Sequence, residues 1–206
     1  MSLAIRAESS EVEASGNLLL AAFEPELAGV GDAMPNGWRR KIVGIGGITA
    51  AATVARLLAE SRPQKVLFAG TCGAYSRSLN IGDCIAASEA ITTSVPEIAK
   101  RAFRPGLEIT RWCATWELSL PKHAVLATPA ITSNLEDAAL LGQIADVEHL
   151  ELAGVFAACH QADVPIAAAL AVANHVGPDA HAEWSANHEA ASRKLIDNIL
   201  RLGTFR

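Results

Sequence analysis

The stretch KIVGIGGITAAATVARLLAE, residues 41–60, decides the fold. Lys41 to Ile45 reads as a strand, Gly44-Ile45-Gly46-Gly47 as a tight turn, and Ala50 to Glu60 as a helix whose strong helix formers set Val54, Leu57 and Leu58 on one face. Strand, glycine turn and helix in succession is the signature of an α/β sheet. Working outward, Pro63 interrupts the pattern, Lys65 to Ala69 reads as a buried strand, and Gly70-Thr71-Cys72-Gly73-Ala74 as another tight turn. Gly82-Asp83 introduces a strand from Cys84 to Ser88, and His123 to Ala127 is a further one. Asp146 to Ala162 has the spacing of an amphipathic helix. Val164 to Ala173 is an apolar strand that stops at Asn174-His175-Val176-Gly177-Pro178, and Ala182 to Leu202 is the closing helix. Toward the amino end, Leu3 to Ala7 reads as the opening strand, and Glu11 to Phe23 as a looser, helical or irregular segment ending at Pro25. Thr92 to Lys122 is mixed and polar, with Trp112 and Trp116 at helical spacing.

These elements predict one domain over residues 1–206, a three-layer α/β fold with a central mixed, mostly parallel sheet flanked by helices. The composition agrees: 50% hydrophobic but only 5% aromatic suits helices packed on a sheet better than an aromatic-rich sandwich. A net charge of −5 gives no electrostatic footprint for nucleic acid or an anionic membrane. The longest apolar run, Val164 to Ala173, is half of the roughly 20 residues a spanning helix needs, and no cationic then apolar signal opens the sequence. The expectation is a cytoplasmic protein. Cys72, Cys84, Cys113 and Cys159 are scattered without CxxC spacing, which argues against a disulfide framework or structural zinc.

In open α/β sheets ligands gather beyond the carboxyl ends of strands, so polar residues there are the candidates. Glu8, Glu11 and Glu13 follow the predicted opening strand, as cleft carboxylates or as a solvated acidic turn. The glycines at 44 to 47 are either plain turn formers or a place where backbone N–H groups approach a sugar or an anion closely. No GxGxxG follows the first strand, which argues against a nicotinamide or flavin cofactor, and none is expected. Glu151 lies among Val147, Leu150, Leu152, Val155 and Phe156; it is either an exposed helix edge or a buried carboxylate, which needs donors such as vicinal sugar hydroxyls. Asn174 ends an apolar strand, either turning the chain or presenting a donor and an acceptor together. His175, Asp179, His181 and His188 match no compact metal-ligand spacing, and Thr71 and Cys72 lack the G-x-S-x-G setting of an activated nucleophile.

Taken in order, Glu11-Val12 by the first strand, Val43-Gly44-Ile45-Gly46, Ala69 to Ala74 followed by Ile81-Gly82-Asp83, Val147 to Pro165 around Glu151, and Asn174 to Pro178 resemble the nucleoside phosphorylase/nucleosidase superfamily. The resemblance covers nearly the whole chain. Within the superfamily it points to the nucleosidases that hydrolyse methylthioadenosine and S-adenosylhomocysteine, and to those that hydrolyse futalosine in menaquinone biosynthesis. It implies that Glu11 activates the attacking water and that Glu151 accepts hydrogen bonds from the ribose hydroxyls. It further implies that Leu150 packs against the sugar, that Thr71 supports the base-contacting residue, and that Ala130, Ile131 and Thr132 meet the purine. A small-molecule nucleoside as partner and a homodimer or higher homo-oligomer follow from the same resemblance, the latter also from the apolar composition and from Trp112 and Trp116.

Two departures narrow the reading. Phosphorylases with a similar Gly-Thr-Cys-Gly-Ala segment usually carry an arginine three residues before the Thr to hold phosphate, and here that residue is Phe68. Water is then the expected nucleophile. Asn174 stands where methylthioadenosine nucleosidases carry the aspartic acid that protonates adenine N7. An amide cannot deliver a proton but can donate to a 6-oxopurine. Asn174 to Pro178, with Trp184 beyond, looks like futalosine hydrolase, although Asp179 replaces the basic residue that family usually has after the proline. The expected activity is futalosine hydrolysis releasing hypoxanthine. A methylthioadenosine-type nucleosidase, a purine phosphorylase or a silent nucleoside binder are the alternatives.

Overall fold

The structure, a computed structural model, describes residues 16–31, 34–106 and 108–205. The predicted strand Leu3–Ala7 and Glu11 lie outside them. The order of elements is β1 (Asn17–Ala21), a 3-10 turn (Glu24–Leu27), β2 (Trp38–Ile42), α1 (Gly47–Ser61), β3 (Val66–Ala74), β4 (Cys84–Ile91), α2 (Val95–Ile98), β5 (Arg111–Cys113), β6 (Lys122–Ala127), α3 (Leu135–Leu141), β7 (Val147–His149), α4 (Leu152–Gln161), β8 (Ile166–His175) and α5 (Ala180–Arg201). Among the described residues the strands form one eight-stranded sheet of order β2-β1-β3-β7-β6-β4-β5, with β8 pairing both β3 and β4. β3, β7, β6, β4 and β8 thereby close into a ring of pairings. The sheet is mixed: β1 with β2 and β3, β3 with β8, and β6 with β4 and β7 run parallel, whereas β3–β7, β4–β5 and β4–β8 are antiparallel.

Strand period 2 divides the core in two. On one face Leu18, Leu20, Val66, Phe68, Ile166, Leu170 and Val172 pack under Val54, Leu57 and Leu58 of α1 and Val155, Phe156 and Cys159 of α4. On the other, Leu19, Leu67 and the alanines 167, 169, 171 and 173 receive Leu195, Ile196 and Ile199 of α5. β8 thus alternates bulky and small side chains. The small face lets a 22-residue helix lie close against the sheet, and cover on both sides explains why the strand reads as an unbroken apolar run. These layers are the flanked α/β architecture expected from the sequence.

Four local readings are corrected. Asn17–Ala21 is a strand paired with β2 and β3, where a helical or irregular segment was expected. Gly70 to Ala74 continues β3 because the parallel β8 pairs along its whole length, so tertiary pairing overrides the glycines. The expected helix from Asp146 is split, because Val147–His149 pairs with β6 and β3 before α4 begins at Leu152. Trp112 lies in β5 and packs against the first cluster, while Trp116 packs against the second and donates its Nε1–H to the Val66 carbonyl, so both have core roles.

Candidate active site

A cavity of about 250 Å³ opens beyond the carboxyl ends of β1, β3 and β8, and is walled by Phe23, Ile45, Ile131, Leu150, His181 and Trp184. Six buried polar residues line it among the described residues: Glu26, Thr71, Glu148, His149, Glu151 and Asn174.

Glu26 sits in the 3-10 turn that follows β1. Its Oε2 accepts the backbone N–H of Ala22 at 3.0 Å, and its Oε1 accepts the Thr71 N–H at 2.8 Å and the Thr71 hydroxyl at 3.1 Å. The Thr71 hydroxyl in turn accepts the indole N–H of Trp184 at 3.1 Å, which directs its proton at Glu26. Burial pushes the Glu26 carboxyl up to about 7, against the pull of those donors and with a smaller push from the negative charge of Glu151. A carboxylate offers about four lone-pair sites. Three donors leave it one acceptor position, on a group poised to exchange a proton near neutrality.

Glu151 is the residue preceding the first turn of α4, not a position on the helix flank. Its Oε1 accepts the Gly46 N–H at 2.6 Å. Gly46 holds φ at +91°, a left-handed conformation that glycine adopts without a Cβ penalty, and this aims its N–H at the carboxylate. The amide expected to meet a sugar or an anion is therefore spent on orienting Glu151. The backbone N–H of Glu151 donates to Nδ1 of His149 at 3.1 Å, and burial pulls that imidazole below its ordinary pKa. The neutral ring stands edge-on to Phe68 at 5.2 Å and supports both Glu151 and the wall.

Asn174 reaches the cavity through a bulge. The β3–β8 register slips between Cys72 and Gly73, so that Gly73 faces Asn174 and Ala173 is the extra residue. A bulge moves the following residues to the opposite face. Without it Asn174 would share the face of Ala74; with it, it shares that of Thr71 and Gly73. Glu148, in β7, faces Gly73 from the other side. Its Oε2 accepts the Tyr75 hydroxyl at 2.9 Å and its Oε1 the Thr132 N–H at 3.1 Å. Burial pushes its carboxyl up as well.

Of the residues picked from the sequence, Thr71, Leu150, Glu151, Asn174 and Ile131 meet at this cavity. Thr71 bonds Glu26 and Trp184, whereas the amide of Asn174 donates to the His175 carbonyl. Thr132 holds Glu148 through both its backbone N–H and its hydroxyl. Ala130 is exposed and does not line the cavity, because the chain turns outward between β6 and α3. Glu11 lies outside the described residues. Glu26, Glu148 and His149 were missed. Glu26 had a signal, a carboxylate four residues past the apolar run Leu18 to Ala22.

The chain belongs to the phosphorylase superfamily, whose family model matches residues 41–144. Its architecture is that of solved nucleosidases. A futalosine hydrolase mutant of Helicobacter pylori strain 26695 superposes with a TM-score of 0.78 at 17% identity, covering 89% of this chain and 96% of that one. The 5′-methylthioadenosine/S-adenosylhomocysteine nucleosidase of Helicobacter pylori, with butyl-thio-DADMe-Immucillin-A, gives 0.80 at 16% identity over 92% and 98%. That of Colwellia psychrerythraea, in complex with adenine, gives 0.79 at 16% over 91% and 94%. Comparison with curated protein sequences gives no match. Among the described residues no helix is long and apolar enough to cross a membrane.

Proposed function

We propose that this protein is a purine nucleosidase that hydrolyses the N-ribosidic bond of a 5′-modified nucleoside, with futalosine as the favoured substrate and hypoxanthine as the base released. The observation that carries the reading is Glu26, a buried carboxylate with a pKa near 7 facing Glu151 and Asn174 across one cavity. As the bond from C1′ to the purine breaks, its electron pair leaves with the base and C1′ takes on oxocarbenium character. Water held at the free acceptor position of Glu26 adds to C1′ and gives its proton to that carboxylate. Glu151 accepts hydrogen bonds from the ribose hydroxyls, and Leu150 and Ile45 pack against the sugar. Asn174 donates to the departing 6-oxopurine, whose ring takes up a proton from solvent. The role that the resemblance gave to Glu11 falls to Glu26.

Water as nucleophile is supported by the wall itself. Phe68, where a phosphate-holding arginine would stand, is fully buried against His149, and among the described residues no lysine or arginine lines the cavity. A phosphate pocket without a cation is strongly disfavoured. Futalosine, inosine and methylthioadenosine, each incubated with and without phosphate, test the reading. The expected result is phosphate-independent release of hypoxanthine with free sugar. Phosphate-stimulated cleavage yielding a sugar 1-phosphate overturns it in favour of a phosphorylase, and binding without turnover in favour of a silent binder.

A further inference from the structure

One edge of β3 is shared by two strands with a gap between them. β8 takes the other edge along its whole length, while β1 pairs as far as Phe68 and β7 joins only at Gly73. Glu26 reaches into the gap from beyond β1, and His149 reaches in from β7. They meet over Gly70: a Cβ there would stand 3.0 Å from His149 Nε2 and 3.2 Å from Glu26 Oε1. Glycine leaves nothing to part the two groups, and both residues line the cavity. The protonation of the ring is set by its other nitrogen. Nδ1 accepts the backbone N–H of Glu151 at 3.1 Å, and a neutral imidazole that accepts at one nitrogen carries its proton on the other. Burial keeps the ring neutral, against a smaller opposing effect of the Glu151 carboxylate, whose Oε2 lies 3.2 Å from Nδ1. Nε2–H meets no acceptor among the described residues, whereas the Thr71 hydroxyl and the Trp184 indole on the same wall are spent on Glu26 and on each other.

We infer that His149 positions the hydrolytic water, its Nε2–H donating to the water oxygen while Glu26 accepts a proton of that water from the other side of the gap. This rests on the nucleosidase reading above and deepens it by adding a residue to the water site. The roles follow from where the protons are. Nε2 already carries one and Nδ1 is occupied by an amide, so neutral His149 is no base; Glu26, with an acceptor position left, is. Of the two lone pairs on the water oxygen, Nε2–H takes one and C1′ meets the other. As the bond from oxygen to C1′ forms, one proton of the water passes to Glu26 and the second stays on the new sugar hydroxyl. His149 leaves the step as it entered it. The same ring holds the amide that precedes α4, so the water and the sugar-binding carboxylate are aligned by one side chain. Losing one neutral donor to the attacking water corresponds to roughly 3- to 10-fold in rate.

Two substitutions separate the two nitrogens. His149→Asn keeps an acceptor near the place of Nδ1 and has no donor at that of Nε2, whereas His149→Gln carries an N–H to the place of Nε2 and offers no acceptor at Nδ1. Steady-state cleavage of futalosine, inosine and methylthioadenosine is measured for both variants and wild type, together with the ring ¹⁵N spectrum of wild-type His149, assigned by the signals lost in a variant. His149→Asn should lose roughly 3- to 10-fold in kcat with KM near that of wild type, and His149→Gln should restore kcat to within about twofold. The wild-type spectrum should show the ring proton on Nε2 at pH 7. An undiminished kcat in His149→Asn, a loss carried by KM, or a loss in His149→Gln as large as in His149→Asn overturns the inference, the last by reducing the ring to a prop for Glu151. A proton found on Nδ1 overturns it without any variant. Each of these results leaves wild-type hydrolysis intact and so strikes the inference alone, whereas a wild-type protein that releases no base from any of the three nucleosides overturns the nucleosidase reading and the inference with it.

Discussion

The two ends of the cavity hold their carboxylates by different means. At the sugar end Glu26 is gripped by backbone N–H groups of Ala22 and Thr71, with a hydroxyl locked by Trp184 behind them, and Glu151 is gripped by the backbone of Gly46. Those donors belong to strand ends and a helix start, elements that the core already fixes. At the base end Glu148 hangs between the Tyr75 phenol and the amide and hydroxyl of Thr132, in the segment joining β6 to α3, and Asn174 depends on a bulge. The carboxylates of the first end are therefore held by backbone donors, as groups acting on developing charge require, whereas Glu148 and Asn174 at the other end are held by side-chain and loop contacts. On the proposed function, chemistry would reside in the first and selectivity in the second.

The most damaging change should be Glu26→Gln. It keeps the shape and removes the proton acceptor, so kcat should fall by about 10²- to 10⁴-fold while nucleoside affinity stays near that of wild type. The pH profile carries the same signature. Glu26 acts in its ionised form, so log kcat should climb with pH and level off above about 7, and the variant should lack this limb. Stability runs the other way. A carboxyl whose folded pKa is raised favours folding most below its ordinary value of 4.5, and that contribution fades as pH rises through about 7. Thermal unfolding of wild type should therefore lose ground across that window relative to Glu26→Gln. Full activity in the variant would move the chemistry elsewhere.

Glu151→Gln should rank second, at about 10²-fold in kcat/KM, shared between kcat and affinity because ribose contacts exist before and during cleavage. A change confined to kcat, seen in single-turnover kinetics alongside binding measurements, would break the contrast, since Glu151 would then act on the transition state alone.

At the base end the effect should be on choice more than on speed. Asn174→Asp places a carboxyl where burial raises its pKa, so that it can protonate adenine N7. The ratio of kcat/KM for matched 6-oxo and 6-amino nucleosides should drop roughly tenfold, through mismatch energies of about 1 to 3 kcal/mol. An unchanged ratio would reduce Asn174 to a strand-end residue.

What the sequence made legible cuts across that division, with one carboxylate or amide found and one missed at each end. β8, α1 and α5 could be read because their patterns are answered locally: an unbroken apolar run for a doubly covered strand, and apolar residues at helical spacing for one-sided helices. Glu151 and Asn174 were found because a polar side chain interrupting such a run is conspicuous. Glu26 and Glu148 were not, for two physical reasons. β1 is a five-residue strand whose identity comes from pairing with β2 and β3, so the residue that matters beyond it cannot be located until the sheet is. Glu148 lies in a three-residue strand, too short for a period to declare itself, and was absorbed into a helix that begins only at Leu152. Nor does spacing announce the slip that turns Asn174 toward Gly73.

The smallest expected effect tests how far the locking of the sugar end extends. Trp184→Phe keeps an aromatic ring at the position that stacks on His188 at 4.3 Å, but deletes the N–H that occupies the Thr71 hydroxyl. That hydroxyl is then free to rotate away from Glu26 for part of the time. A neutral hydrogen bond is worth about 0.5 to 1.5 kcal/mol net, and here it acts on the carboxylate at one remove, with the Thr71 and Ala22 amides still in place, so kcat should fall only a few-fold. The direction is fixed by the chemistry. The hydroxyl stabilises the ionised form of Glu26, so weakening it moves the acid limb of the profile upward, and Thr71→Val, which deletes it outright, should move the limb further the same way. The measurement is kcat against pH for wild type, Trp184→Phe and Thr71→Val. A limb that stays fixed in Thr71→Val would mean that the backbone amides alone set Glu26, and that the contact with Trp184 serves only to dock α5 onto the sheet.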